Sequence, residues 1–219
     1  MYDAVIFDCD GCLLDSEALV REILVEVVTE LGLEYDGARF MGMSNPVFFA
    51  TLDEDRRRLL GKPLPPDFRA QTEARLLAAL KERVQEVQGA AAAVAALSRP
   101  KAIASGSSPS FLEVKLKRCG LWDTFHPHVY SSQGLARGKP HPDVFLHAAS
   151  ALGVRPERCL AIEDSVLGVQ SGVAAGMTVW GFTGGGHIAE GDARRLSEAG
   201  AHRVVSHWDD AAAEFGGWY

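Results

Sequence analysis

The chain has 219 residues, 47% of them hydrophobic and 8% aromatic, enough to bury one good core with room for a small second domain. Its 22 Lys and Arg stand against 29 Asp and Glu. The resulting net charge of -7 excludes the basic footprint of a nucleic-acid or anionic-membrane binder and points to a small ligand. No segment approaches the roughly 18 consecutive apolar residues of a membrane span, and no cleavable leader is recognisable, so a cytoplasmic location is expected. Cys9, Cys12, Cys119 and Cys159 are too scattered for a disulfide framework, and the C-x-x-C of Cys9 and Cys12 lacks the second ligand pair that a zinc cage needs. Oligomeric state is left open, with a monomer compatible.

The first element is a strand over Ala4 to Phe7, closed by Asp8-Cys9-Asp10-Gly11. Side chains two apart on a strand share a face, which sets two carboxylates side by side where the strand runs out. Like charges that close repel, so something positive, a metal ion above all, is expected to hold them. From Ser16 to Gln88 the pattern is helical throughout. Leu19, Ile23, Val27 and Leu31 recur at helical spacing before Gly32, and Phe68 to Val84 repeats the theme with Leu76, Leu77 and Leu80. A Pro-rich turn at residues 62–66 separates the helices, and Gly89 is the expected return hinge before the helical alanine run at 90–96. Arg56 to Arg58, preceded by Asp53 to Asp55, reads as a solvated helix face.

Beyond the insert, short β-rich runs alternate with helices: Ala102 to Ala104, Val129 to Tyr130, Leu160 to Ile162, Thr178 to Phe182, and Val204 to Val205. Pro109 opens one intervening helix, while Gly153 and Gly176 close two others. That rhythm predicts a doubly wound, parallel α/β core made of residues 1–15 and 89–219, with an all-helical cap domain inserted at 16–88.

In such a sheet, ligands sit at the carboxyl ends of the strands. The residues there are chemically coherent. The first run ends in Asp8 and Asp10, the second in Ser105-Gly106-Ser107-Ser108, and the fourth in Glu163-Asp164-Ser165, while Lys139 lies in the G-K-P-H-P-D loop after the third. Ser107 or Ser108 would also cap the helix that begins at Pro109. The loop Gly184-Gly185-Gly186-His187 lacks the lysine spacing of a phosphate-binding loop and reads as a flexible turn. His126 and His128 have no acidic partner nearby in sequence.

F-D-C-D-G-C-L-L-D-S-E, I-A-S-G-S-S, G-K-P-H-P-D-V-F and A-I-E-D-S-V-L-G-V-Q-S-G, taken together and in order, resemble the four motifs of the haloacid dehalogenase superfamily, specifically its capped phosphatase and phosphomutase branch. The resemblance implies a Rossmann-like core and a Mg²⁺-dependent hydrolysis of a small-molecule phosphate ester through an aspartyl-phosphate. It implies Asp8 as nucleophile and Asp10 as general acid and base. Mg²⁺ would be held by Asp8, Asp164 and the backbone carbonyl of Asp10, with Glu163 in contact through water. Lys139, Ser105 and Gly106 with the following amides would bind the phosphoryl group. Cys12 and Gly106 depart from the residues common at their positions, without removing an assigned group.

A sugar phosphate or phosphorylated sugar acid is the expected substrate class. The alternative is a phosphomutase of the β-phosphoglucomutase type, whose cap histidine and arginine have Val20 and Asn45 as apparent counterparts here; that difference favours hydrolysis. A dehalogenase would not need the acid at position 10, and a non-catalytic binding protein would be expected to have lost Asp8, Asp10 or Lys139. Glu17, Arg21, Arg39 and Asn45 are the polar candidates for substrate selection.

Overall fold

The computed structural model describes residues 2–40 and 45–215, except for the side chains of Ala38, Asn45 and Pro46. Clustering of the backbone divides the chain into two compact units, Met1–Glu17 with Val84–Tyr219, and Ala18–Arg83. The chain opens with β1 (Ala4–Phe7), followed by α1 (Glu17–Glu30), α2 (Gly37–Phe40), α3 (Asn45–Leu60) and α4 (Phe68–Arg83). Next come α5 (Ala90–Ala96), β2 (Lys101–Ser105), α6 (Pro109–Arg118), α7 (Trp122–Phe125), β3 (Val129–Ser131) and α8 (Asp143–Leu152). A 3₁₀ turn at Pro156–Arg158 leads into β4 (Cys159–Glu163), then α9 (Val166–Ala174), β5 (Thr178–Phe182), α10 (Asp192–Glu198), β6 (Arg203–Val205) and α11 (Trp208–Phe215).

The six strands form one sheet in the order β3-β2-β1-β4-β5-β6, with every neighbouring pair parallel. β1 lies in the interior and is covered on both sides, which is why all four of its residues are apolar and buried. Alternation along it feeds two cores. Ala4 and Ile6 join the cluster formed with Val144, Phe145 and Ala148 of α8 and Val169 of α9. Phe7 faces the other way, with ring centroids 5.7 Å from Phe125 and 5.8 Å from Trp208, and Trp208 stacks at 4.6 Å on Phe182. Strand order reverses direction between β1 and β4, so their carboxyl ends open a crevice at the topological switch point.

Residues 84–88, read from sequence as part of the insert, belong with the sheet-containing unit. The reason is a pairing that sequence periodicity does not carry. Leu14 and Glu86 form an antiparallel bridge, Val87 N–H donates to Leu13 at 2.9 Å, and Asp15 N–H donates to Gln85 at 2.9 Å. The outgoing and returning chain are tied to each other before the helical unit begins.

The helical unit buries the expected stripes, Leu19, Ile23, Val27 and Val28 on α1 and Phe68, Thr72, Leu76, Ala79 and Leu80 on α4. Arg83 pairs with Glu22, and Arg75 with Glu26 and Glu30, across the exposed edge of these helices. The acidic-basic run on α3 departs from the solvated face read from sequence. Asp55 is buried and accepts from both Arg39 and Arg58, so Arg39 is engaged inside the helical unit. Arg21 is exposed, whereas the side chain of Asn45 lies outside the described residues. Among the described residues, no helix is long and apolar enough to cross a membrane.

Candidate active site

Asp8 follows β1 directly, and its N–H still donates to Ile162 of β4 at 2.9 Å, which fixes it at the mouth of the crevice. Its side chain is buried and accepts from Lys139 Nζ at 2.5 Å. Lys139 also donates to Ala104 O at 3.0 Å and to Glu163 Oε1. Glu163, fully buried at the end of β4, turns its other oxygen to the N–H and hydroxyl of Ser165 at 3.2 and 3.1 Å. Both of its oxygens are therefore engaged by protein groups. Glu163 thereby anchors Lys139 and the turn into α9, and it also stands among the carboxylates that could hold a metal ion. Burial works against the charge of Lys139, but Asp8 and Glu163 outweigh it and hold the ammonium above its ordinary value.

Asp164 completes a carboxylate cluster with Asp8 and Glu163, each offering an oxygen within 4.8 Å of the others. Burial pushes Asp8 up to about 7, with Lys139 opposing, and pushes Asp164 up to about 6, with a hydrogen bond from His187 opposing. Gathering three buried carboxylates around one lysine leaves negative charge uncompensated, and the donors are all hard oxygens. That set fits a small divalent cation of the Mg²⁺ kind.

Asp10 is absent from this cluster; its carboxylate accepts from Lys115 Nζ, Ser16 Oγ and Ser107 Oγ, the last at 2.7 Å, with Ser105 Oγ at 3.4 Å. Sequence reasoning expected something positive, a metal ion above all, to hold Asp8 and Asp10, and the structure adds a cation that it did not name. Each acid has its own lysine, Lys139 on Asp8 and Lys115 on Asp10. Burial by itself would raise Asp10, but the charge and hydrogen bond of Lys115, aided by Ser16 and Ser107, pull it down to about 2. The raised member of the pair is thus Asp8. Lys115 carries no signal in the sequence, where it sits among Lys117 and Arg118 on an ordinary amphipathic helix; only its 1% exposure singles it out.

Ser105 ends β2 fully buried and accepts the N–H of Ser107 at 3.0 Å, while Gly106 between them is exposed. Ser108 is the helix cap, accepting the Phe111 N–H at 3.3 Å with Pro109 in the first turn, and Ser107 is left free to serve Asp10. Cys9 and Cys12 are both buried free thiols, and burial raises both. His128 bonds to the Tyr130 hydroxyl at 2.9 Å, away from the carboxylates.

A family model described as a haloacid dehalogenase-like hydrolase matches residues 2–176. The 6-phosphogluconate phosphatase of Escherichia coli (strain K12) is 29% identical over 189 residues, covering 84% of each chain. The fructose-1-phosphate phosphatase of the same organism is 30% identical over 185 residues, which are 80% of this chain and 94% of that one. Among solved structures, a HAD family hydrolase from Deinococcus radiodurans R1 with bound phosphate and sodium superposes with a TM-score of 0.78 at 38% identity, covering 98% of this chain and 96% of that one.

Proposed function

Because the chain belongs to the haloacid dehalogenase-like hydrolases, we propose that it is a Mg²⁺-dependent phosphatase that works through an aspartyl-phosphate on Asp8. It is a phosphoric monoester hydrolase, and the substrate class we assign is a sugar phosphate or a phosphorylated sugar acid, in keeping with the 6-phosphogluconate and fructose-1-phosphate phosphatases it resembles. The observation that carries the reading is the convergence of Asp8, Glu163 and Asp164, at the carboxyl ends of the adjacent strands β1 and β4, on Lys139 from the loop between β3 and α8.

Asp8 and Asp164 would hold the ion, joined by the backbone carbonyl of Asp10 that the family resemblance adds. Once bound, Mg²⁺ would offset the repulsion between a phosphate dianion and the attacking carboxylate. One oxygen of Asp8 attacks phosphorus, the bond from phosphorus to the ester oxygen breaks, and the departing alkoxide takes a proton from Asp10. Water then attacks the aspartyl-phosphate while Asp10 takes a proton from it, which releases inorganic phosphate and restores Asp8. Lys139 balances the charge carried by Asp8, and the hydroxyl of Ser105 with the amides after it donates to the phosphoryl oxygens.

Lys115 and two serines favour the anionic form of Asp10, which suits it to accept the proton of the hydrolytic water. To donate, it must first carry a proton. Leaving Lys115 would allow that, because burial without the lysine favours the neutral acid.

The test is turnover of an aryl phosphate with Mg²⁺ and in excess chelator, followed by a panel of hexose phosphates and phosphorylated sugar acids in which phosphate release and isomer formation are measured together. Stoichiometric phosphate release without a bisphosphate activator is expected. Full turnover in chelator overturns the metal assignment, and isomerisation outpacing phosphate release establishes a phosphomutase instead.

A further inference from the structure

The triglycine loop after β5 is fitted against the β1 loop. A Cβ at Gly184 would stand 2.5 Å from the Phe182 ring and 2.6 Å from Ser206 O. One at Gly185 would stand 2.4 Å from Gly11 O, and one at Gly186 would lie 2.7 Å from the Asp15 carboxylate. Backbone atoms stand in the way at Gly184 and Gly185, so those two positions need glycine for contact, while at Gly186 the obstacle is the end of the Asp15 side chain. The flexible turn read from sequence is a packed loop, and what it delivers is His187.

His187 Nε2 lies 2.9 Å from Asp164 Oδ2, with only 18% and 7% of the two side chains exposed. Gly11 is shaped around this pair, since a Cβ there would fall 2.1 Å from Asp164 Oδ2 and 2.4 Å from His187 Cε1. The loops after β1, β4 and β5 thus converge on one hydrogen bond. His187 Nδ1 is buried without a partner among the described residues, and a Cβ at Gly185 would sit 2.9 Å from it, so packing holds the ring as closely as bonding does. His187 is not one of the three residues that converge as ligands, and its Nε2 is committed to Asp164.

We propose that His187 is a positioning residue for Asp164: by donating to Oδ2 it holds the carboxylate toward the cluster and thereby sets the affinity of the site for a divalent ion. This rests on the reading of Asp8 and Asp164 as metal ligands. The carboxylate sits on a turn between β4 and α9, where a side chain with no hydrogen bond would be free to rotate away from the cluster. Hydrogen-bonded neighbours of metal ligands are commonly worth about 10–100-fold in affinity.

The experiment titrates the phosphate-free, full-length protein with Mn²⁺ and follows the free ion by its EPR signal, so no turnover enters the readout. His187→Phe keeps a ring but loses the donor, and is expected to bind Mn²⁺ about 10–100-fold more weakly. His187→Gln keeps an N–H and is expected to recover most of that loss, which a purely space-filling role would not produce. If His187→Phe does not fold, as judged by circular dichroism, His187→Ala takes its place with the same expectation. Asp164→Asn serves as the reference and is expected to abolish binding. Tight binding by the donor-less variants, with Asp164→Asn still defective, overturns the role of His187 and leaves the metal site standing. An unmodified chain that fails to bind Mn²⁺ overturns both.

Discussion

Lys115 donates to the carboxylate of Asp10, a residue 105 positions earlier in the chain, from a helix face that leaves the lysine 1% exposed. A buried ammonium is tolerated only when paired, and the loss of one partner strands the other. Lys115→Met is therefore expected to cost roughly 3–5 kcal/mol, read as a lower urea midpoint, and to depress turnover. The double variant Lys115→Met/Asp10→Asn removes both charges and should regain much of that stability while staying inactive. Equal midpoints for the single and double variants would show that the two residues are not coupled.

Asp8→Asn removes the proposed nucleophile and one charge from the buried cluster while preserving side-chain shape. Turnover should fall by about a thousandfold or more. Without metal, the variant should be at least as stable as the unmodified protein, because burying Asp8 costs enough to push it up to about 7. Retention of a substantial share of activity would exclude Asp8 as the nucleophile.

The same burial sets the pH dependence of the metal-free protein. Asp8 and Asp164 rise from 3.8 to about 7 and about 6, so between pH 4 and 7 the folded state binds more protons than the unfolded state. Stability from these groups is present at low pH and is lost as pH rises through the folded values. His187, raised by its bond to Asp164, contributes in the same direction. In chelator, the thermal midpoint is expected to fall from pH 5 to pH 7.5, and Asp8→Asn should flatten the decline. Mg²⁺ replaces protons at the carboxylates, so it should bind more tightly as pH rises across this range. A midpoint that climbs across it would contradict the assignment.

Gly168→Ala separates local propensity from tertiary demand. Alanine favours a helix by about 1 kcal/mol over glycine, yet a Cβ at Gly168 in the first turns of α9 would fall 1.9 Å from Glu163 Cδ. Displacing Glu163 frees Lys139 from one of its two acids. Activity should drop at least tenfold, and the helical gain should not appear in the unfolding midpoint. A more stable, fully active variant would show that the Glu163 position is unimportant.

Exchange of the ion offers a further check. Mg²⁺ should restore activity after chelation, while Ca²⁺ should occupy the site without supporting turnover, since its higher coordination number and looser geometry misplace the attacking carboxylate. Equal turnover with the two ions would argue against a close geometric requirement.

Much was settled by the order of residues alone. Short apolar runs, each closed by acids or hydroxyls, announce parallel strands whose ends carry chemistry, and the long helical stretch between the first two announces an insert. Local physics suffices for this, because strand burial and helical periodicity are written within a few residues of each other. Asp8, Glu163 and Asp164 were legible for that reason, each standing at the end of a run, whereas Lys139, in the loop between β3 and α8, was legible through the motif it belongs to. What the tertiary structure decided was which charges meet. Lys115 and His187 belong to an amphipathic helix and a glycine loop that look ordinary in isolation, and they matter only because packing brings them to Asp10 and Asp164. The pairing of residues 13–15 with 85–87, and the inward turn of Asp55, arise in the same way. An electrostatic partnership depends on distance and burial in three dimensions, and neither has a period that can be read along the chain.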